Sequence, residues 1–256
     1  MSTAPQFRFD GRRALVTGSS RGIGFALAGG LAACGAQVVL NARDAAQLAS
    51  AAALLRADGY HVETAAFDVT SESAVTAGFA AIEAAHGPVD ILVNNTGIHR
   101  RAPLADMTLA DWNAVIETNL TSAFLTGRAA ARGMIARRSG KIINVCSLMS
   151  DLARPTTGNY AAAKGGLRML TRAMCAEWAA HNIQINGLAP GYILTDLTAP
   201  LAADPKFDGW IKARTPAARW GTAADLTGAC VFLASPASAF VNGHILVVDG
   251  GLSAVV

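Results

Sequence analysis

"RRALVTGSSRGIGFALAGGLAACG", residues 12–35, runs from a short apolar stretch through a glycine-rich turn into an alanine- and leucine-rich segment closed by Gly35. Residues 12–18 have the near-continuous apolar character of a buried strand, and 22–35 that of a helix. Between them, Gly18, Gly22 and Gly24 fall in the spacing G-x-x-x-G-x-G. A phosphate reaches the N–H groups at a helix N-terminus only where no side chain blocks it. Glycines at this first strand-to-helix junction therefore predict a nucleotide site, with Ser20, Arg21 and Ile23 in the same turn. The spacing differs from the commoner G-x-G-x-x-G, and a turn that merely packs helix on strand would also use glycine.

The same alternation continues outward. Strands are predicted over 36–42, 60–69, 89–95, 140–147, 183–190 and 244–250. Helices are predicted over 44–59, 71–87, 107–138, 159–181 and 223–234. Strands apolar on both faces, alternating with helices, predict one Rossmann-type α/β domain over residues 1–256: a doubly wound parallel sheet with helices on both faces. Residues 192–215 break the pattern, punctuated by Pro200, Pro205 and Gly209. A connection this long is usually functional, so a substrate lid is expected there. Its Leu201, Phe207 and Trp210 could also simply pack on the core. The adjoining "RTPAARWG" reads as a structural return.

Of the 256 residues, 52% are apolar and 15% charged, which indicates a well-filled core and argues against disorder. The net charge of +3 is small and its basic residues are dispersed, so no nucleic-acid partner is expected. No stretch reads as a membrane span, and "MSTAPQFRFDGRR" lacks the apolar core of a signal peptide. A soluble, cytoplasmic protein is expected. Cys34, Cys146, Cys175 and Cys230 show neither disulfide nor metal-ligand spacing, so no metal is expected.

Strand ends select the ligand. NAD-binding folds place an acid at the end of the second strand, whereas this chain has Asn41, Ala42 and Arg43. Arg43 and Arg21 suit a 2′-phosphate, which predicts NADP (NADPH); Arg43 could instead face solvent. Asp68, with Val69 beside it, is placed to accept from the adenine amino group. Asn95 and Gly97 of "NNTG" are placed to line the cofactor, with Asn94 structural. The carboxylate and amides could also only cap turns.

Ser147 ends the fifth strand, and Tyr160 and Lys164 share a face of the next helix. Nicotinamide chemistry on a carbonyl needs a proton donor as hydride reaches carbon. An ammonium beside Tyr160 would lower the phenol's ordinary pKa of about 10. Ser147 would bind the substrate oxygen where charge develops. Tyr-x-x-x-Lys alone is weak; joined to a strand-end serine and a phosphate loop it is strong.

Together "TGSSRGIG", "NNTG", Asn119 in "ETNLTSAF", Ser147, "YAAAK" and "LAPGYILTD" resemble the short-chain dehydrogenase/reductase family over nearly the whole chain. The resemblance implies a catalytic tetrad of Asn119, Ser147, Tyr160 and Lys164, with Asn119 holding a water in a proton relay to Lys164. It implies cofactor contacts from Tyr160, Lys164, Pro190, Gly191, Ile193 and Thr195, and a homotetramer. Thr96, where the family has alanine, departs from the pattern. Arg100 and Arg101 emerge beside "NNTG", and either could clamp the carboxylate of a sugar acid, or serve an interface. "NTGIHRRAPL", "QINGLAPGY", "RTPAARWG" and "FVNGHILVVDGG" narrow the resemblance to members acting on a sugar-acid ketone. A 3-oxoacyl thioester reductase and a non-catalytic NADP sensor are the alternatives.

Overall fold

The computed structural model describes residues 7–196 and 198–255. The start of the N-terminal segment and Leu197 of the expected lid lie outside the described residues. Seven strands form one parallel sheet in the order β3-β2-β1-β4-β5-β6-β7. They are β1 Arg13–Thr17, β2 Gln37–Ala42, β3 Val62–Ala66, β4 Ile91–Asn94, β5 Gly140–Val145, β6 Ile183–Pro190 and β7 Ile245–Val248. The order reverses between β1 and β4, so the switch-point crevice opens at their carboxyl ends.

The helices are α1 Gly22–Ala33, α2 Ala45–Ala57, α3 Glu72–His86, α4 Leu109–Ile116, α5 Ser122–Arg137, α6 Gly158–Trp178, α7 Ala199–Ala202, α8 Pro205–Arg214 and α9 Thr227–Ala234. Alternate strand residues feed opposite faces of the sheet. Ala14, Val16, Val38 and Leu40 pack with α1, α2 and α9, whereas Leu15, Val39 and Leu92 pack with α3, α5 and α6. All residues of β5 and β6 are buried, as a central parallel strand requires.

The predicted helix over 107–138 is not continuous. Between α4 and α5 the chain makes a π-turn, Glu117–Thr121, whose extra residue per turn carries Asn119 into the interior.

Residues 192–215 hold α7 and α8, which close on an apolar cluster of their own. Leu148, Ile211, Trp220 and Leu252 are buried there, with Tyr192, Leu201 and Phe207 packed against them. Thr215, Arg219 and Trp220 return the chain, the indole N–H of Trp220 donating to Asp208 at 2.9 Å. Trp210 remains exposed.

Candidate active site

Gly18 and Gly22 take left-handed backbone, φ +61° and +59°. A Cβ on Gly22 would enter open space, whereas one on Gly24 would collide with the Asn95 amide and the Gly18 carbonyl. Gly24 therefore packs the helix against the turn, while Gly22 leaves the turn open. The N-terminus of α1 receives no side-chain cap, unlike those of α2, α3 and α4, which are capped by Asp44, Ser71 and Thr108. Unsatisfied amides at the positive end of this helix, beside an open glycine, fit a pyrophosphate. Ser20 and Ile23 are half-buried in the same turn and Arg21 is exposed.

Asn95 Nδ2 donates to the carbonyls of Thr17 and Gly18 at 3.0 Å each, so this side chain braces the glycine turn. Asn94 is structural: its amide bonds Asn144 at 2.9 Å and accepts from Thr126 at 2.7 Å. Thr96 leaves its buried hydroxyl without a partner among the described residues. Gly97 is exposed beside the Asn119 amide.

At the end of β2, Asn41 is buried and bonds the carbonyls of Ala65 and Phe67. Asp44 is spent capping α2. Arg43 is exposed, with Nη1 3.9 Å from Asp68 Oδ2. Burial pushes the Asp68 carboxyl up, but bonds from Thr70 and the charge of Arg43 outweigh it and hold the group below its usual range. Asp68 therefore does fix a turn through one oxygen, with Val69 buried next to it. Beyond β6, Gly191 donates to Val248 at 2.9 Å, and a Cβ there would come within 2.7 Å of Asp249. Pro190 ends β6, Ile193 is buried against Gly221, and the Thr195 N–H donates to Thr198.

Ser147, Tyr160 and Lys164 come together where β5 ends. The Ser147 oxygen accepts from the Met149 N–H at 3.1 Å, which leaves its proton free to donate. Lys164 is buried; its ammonium donates to the Val145 carbonyl at 2.5 Å and sits 5.7 Å from the Tyr160 ring centre. Burial brings its pKa down to about 8. The Tyr160 phenol is raised, not lowered: its burial dominates, and the Ser147 hydroxyl only partly opposes it. This corrects the sequence expectation. The ammonium is directed to a backbone carbonyl rather than to the phenol.

Asn119 spends its amide on Ile98, accepting from its N–H at 2.7 Å and donating to its carbonyl at 2.9 Å. A relay water would therefore have to rest on the backbone of the π-turn and not on this side chain. Asn159, which sequence reasoning passed over, is buried and donates to the Arg100 carbonyl at 3.0 Å. Between these two clamps His99 lies flat on Tyr160, ring centres 4.5 Å apart and planes within 8°.

The two expected arginines part company. Arg100 turns to Asp111, 3.4 Å away, so its side chain is not a free carboxylate clamp; a nearby acid has already paired it. Arg101 donates through Nε and Nη2 to the Thr156 hydroxyl at 3.2 and 3.0 Å. Arg154 was missed; it has no motif to mark it, and only the fold brings it to the site.

A family model described as Enoyl-(Acyl carrier protein) reductase matches residues 18–253. Gluconate 5-dehydrogenase of Gluconobacter oxydans is 53% identical over 99% of both chains. 5-Keto-D-gluconate 5-reductase of Escherichia coli K12 is 48% identical over 96% of this chain and 97% of its own. A gluconate 5-dehydrogenase from Burkholderia cenocepacia, crystallised with NADP and tartrate, superposes with a TM-score of 0.96 at 53% identity, covering 98% of this chain and 99% of that one.

Proposed function

The chain belongs to the short-chain dehydrogenase/reductase family, and from that premise we propose that it interconverts D-gluconate and 5-keto-D-gluconate with NADP. The observation that carries the reading is the meeting of Ser147, Tyr160 and Lys164 beside the open, uncapped start of α1, in a chain about half identical to enzymes of that reaction.

The uncapped amides of α1 and the turn Gly18, Ser20, Arg21, Gly22, Ile23 and Gly24 hold the pyrophosphate. Arg21 and Arg43 hold the 2′-phosphate; Asp68, Val69, Asn95, Gly97, Pro190, Gly191, Ile193 and Thr195 line the rest. The bound cofactor supplies the hydride and, once oxidised, a positive ring. Tyr160 gives its proton to the carbonyl oxygen during reduction and takes it back in oxidation. Its raised pKa keeps the phenol protonated at neutral pH, as the reducing direction needs. Ser147 donates to the oxygen on which charge develops. Lys164, buried with its ammonium 5.7 Å from the Tyr160 ring centre, anchors the ribose, with Asn119 holding the π-turn that carries the relay.

We place the enzyme in the cytoplasm as a homotetramer. Four thiols, none paired among the described residues, suit a reducing compartment. Among those residues no helix is long and apolar enough to cross a membrane.

The test is NADPH oxidation with 5-ketogluconate, other keto-sugar acids and an acetoacetyl thioester. Fastest turnover of 5-ketogluconate is expected; preference for the thioester would replace the reading. Tyr160→Phe is expected to lose turnover by on the order of 1,000-fold or more with NADPH binding kept. An active Tyr160→Phe enzyme would remove the acid/base assignment. Arg43→Asp should weaken NADPH by roughly 10- to 100-fold relative to NADH; an unchanged ratio would reject the 2′-phosphate site.

A further inference from the structure

Asn159 is fully buried and stands immediately before Tyr160, yet the tetrad does not use it. α6 begins at Gly158, so the Tyr160 N–H is one of the first-turn amides that a helix leaves unsatisfied. The residue before the helix, Thr157, does not take it; its hydroxyl donates to the Arg154 carbonyl at 2.9 Å. Asn159 Oδ1 accepts from the Tyr160 N–H instead, at 2.8 Å. Its Nδ2 meanwhile donates to carbonyls on two other segments. One is Arg100, in the loop after β4, at 3.0 Å, and the other Asp111, in the first turn of α4, at 3.3 Å. A single carboxamide thus joins three pieces of chain at the turn that carries the phenol. The Arg100 and Asp111 side chains also pair, at 3.4 Å, but a pair this exposed adds little.

The loop after β4 is held from the other side as well. Asn119 takes both the N–H and the carbonyl of Ile98, so His99 is fixed between two buried asparagines, one on the π-turn and one on α6. No partner reaches His99 Nδ1 among the described residues, so no hydrogen bond at that nitrogen aims the ring. Its aim comes from its fixed neighbours, which lay it flat on Tyr160, ring centres 4.5 Å apart and planes within 8°. Burial, and then the charges of Arg101 and Arg154, bring its pKa down to about 4. At neutral pH the imidazole therefore covers the phenol without adding charge. Left alone, a tyrosine ring turns in a broad two-fold well about its last torsion. A flat neighbour on one face narrows that well.

We propose that Asn159 is a positioning residue for Tyr160 and acts through His99. It ties the first turn of α6 to the loop after β4, so that the imidazole is a fixed backstop and the phenol meets the carbonyl oxygen at one angle. Proton transfer tolerates little misplacement, since an error of about 1 Å can cost on the order of 100-fold in rate. The inference rests on Tyr160 being the acid of the proposed reaction, and adds a side chain whose burial keeps it from the substrate.

The test combines steady-state kinetics with NMR of tyrosine labelled at its ε carbons. The chain has three tyrosines, and Tyr160→Phe identifies the signal. Asn159→Ala should lower kcat for 5-ketogluconate by roughly 10- to 100-fold, with KM and NADPH affinity within about threefold of the parent. The flip rate of the Tyr160 ring should rise several-fold in the same variant. His99→Leu should reproduce both effects, and His99→Phe, which restores a flat ring, should recover most of the lost kcat. Adding Asn159→Ala to His99→Leu should lower kcat by less than about threefold further, because residues that act through one contact are not additive. If Asn159→Ala folds poorly, Asn159→Asp keeps the acceptor for the Tyr160 N–H at the end of α6 that favours a carboxylate. It loses the donated bonds, and the same fall in kcat is expected.

A folded Asn159→Ala or Asn159→Asp enzyme with kcat within twofold of the parent, even at a lower Tm, would overturn the proposal. So would an unchanged flip rate, or losses that simply multiply in the double variant. Failure of the parent to reduce any keto sugar acid, with the Tyr160 ring still released by Asn159→Ala, would sink the proposed reaction and support the positioning. Turnover by the parent, with ring motion unaltered in the variant, keeps the reaction and rejects the positioning.

Discussion

At the scale of single residues, burial sets the chemistry of this crevice more than pairing does. Tyr160 is pushed up and Lys164 down to about 8, because each pays desolvation in its charged form. His99, with a folded-state pKa of about 4 against an ordinary 6.5, gives a measurable consequence. Between those two pH values the unfolded chain binds a proton that the folded chain refuses. Stability must therefore fall as pH drops from 6.5 to 4, the loss being complete below 4. His99→Phe removes that linkage and keeps an aromatic ring on Tyr160. Thermal melts between pH 7 and 4.5 should show a shallower fall of Tm for the variant. Parallel curves for the two proteins would mean that His99 is not held neutral by its surroundings.

Elements divide into those visible in the sequence and those set by contacts from elsewhere. β6, Ile183–Pro190, matches the predicted strand at both ends, because its run between Asn182 and Gly191 is buried at every position and mostly apolar, with Gln184 and Asn186 as its two polar side chains. The π-turn at Glu117–Thr121 could not be read, since "ETNLT" holds no proline or glycine to mark a change in the helix. Family resemblance alone singled out Asn119. Arg154 and Asn159 stay silent for another reason: their partners, Tyr192 and Arg100, lie 38 and 59 positions away. Likewise nothing local showed that Asp111 would capture Arg100.

The glycine turn, by contrast, was legible, and its glycines separate by experiment. Gly24→Ala drives a methyl into Asn95 and Gly18 and should cost about 1–3 kcal/mol, seen as a lower Tm. Gly22→Ala meets nothing within 4 Å and should cost about 1–2 kcal/mol for its left-handed backbone. Because its methyl would stand where the phosphate approaches, its larger effect should be on NADPH affinity. Equal NADPH affinity for Gly22→Ala and the parent would move the pyrophosphate off this turn.

For the whole molecule, the two edges of the sheet differ in a way that bears on assembly. The β3 edge, "VETAA", carries exposed Glu63 and Thr64, polar residues that suit a strand facing water. The β7 edge is "ILVV", with Val247 exposed and Phe240 fully exposed nearby. An open apolar edge invites pairing with another chain, and a second copy of this one would cover it. Phe124 on α5 and Met169 on α6 are further exposed apolar side chains, away from the sheet edge. If each of these two regions meets its counterpart on a second copy, the contacts would build the proposed tetramer of two-fold symmetry, whereas one alone would stop at a dimer. Sedimentation velocity at micromolar concentration should then show a tetramer for the parent. Val247→Lys should leave dimers joined through α5 and α6, and Phe124→Glu with Met169→Glu should leave dimers joined through the β7 edge. Combining all three substitutions should give monomers with the core intact. A parent that sediments as a monomer would exclude the tetramer; single-patch variants that stay tetrameric would place the contacts on other surfaces.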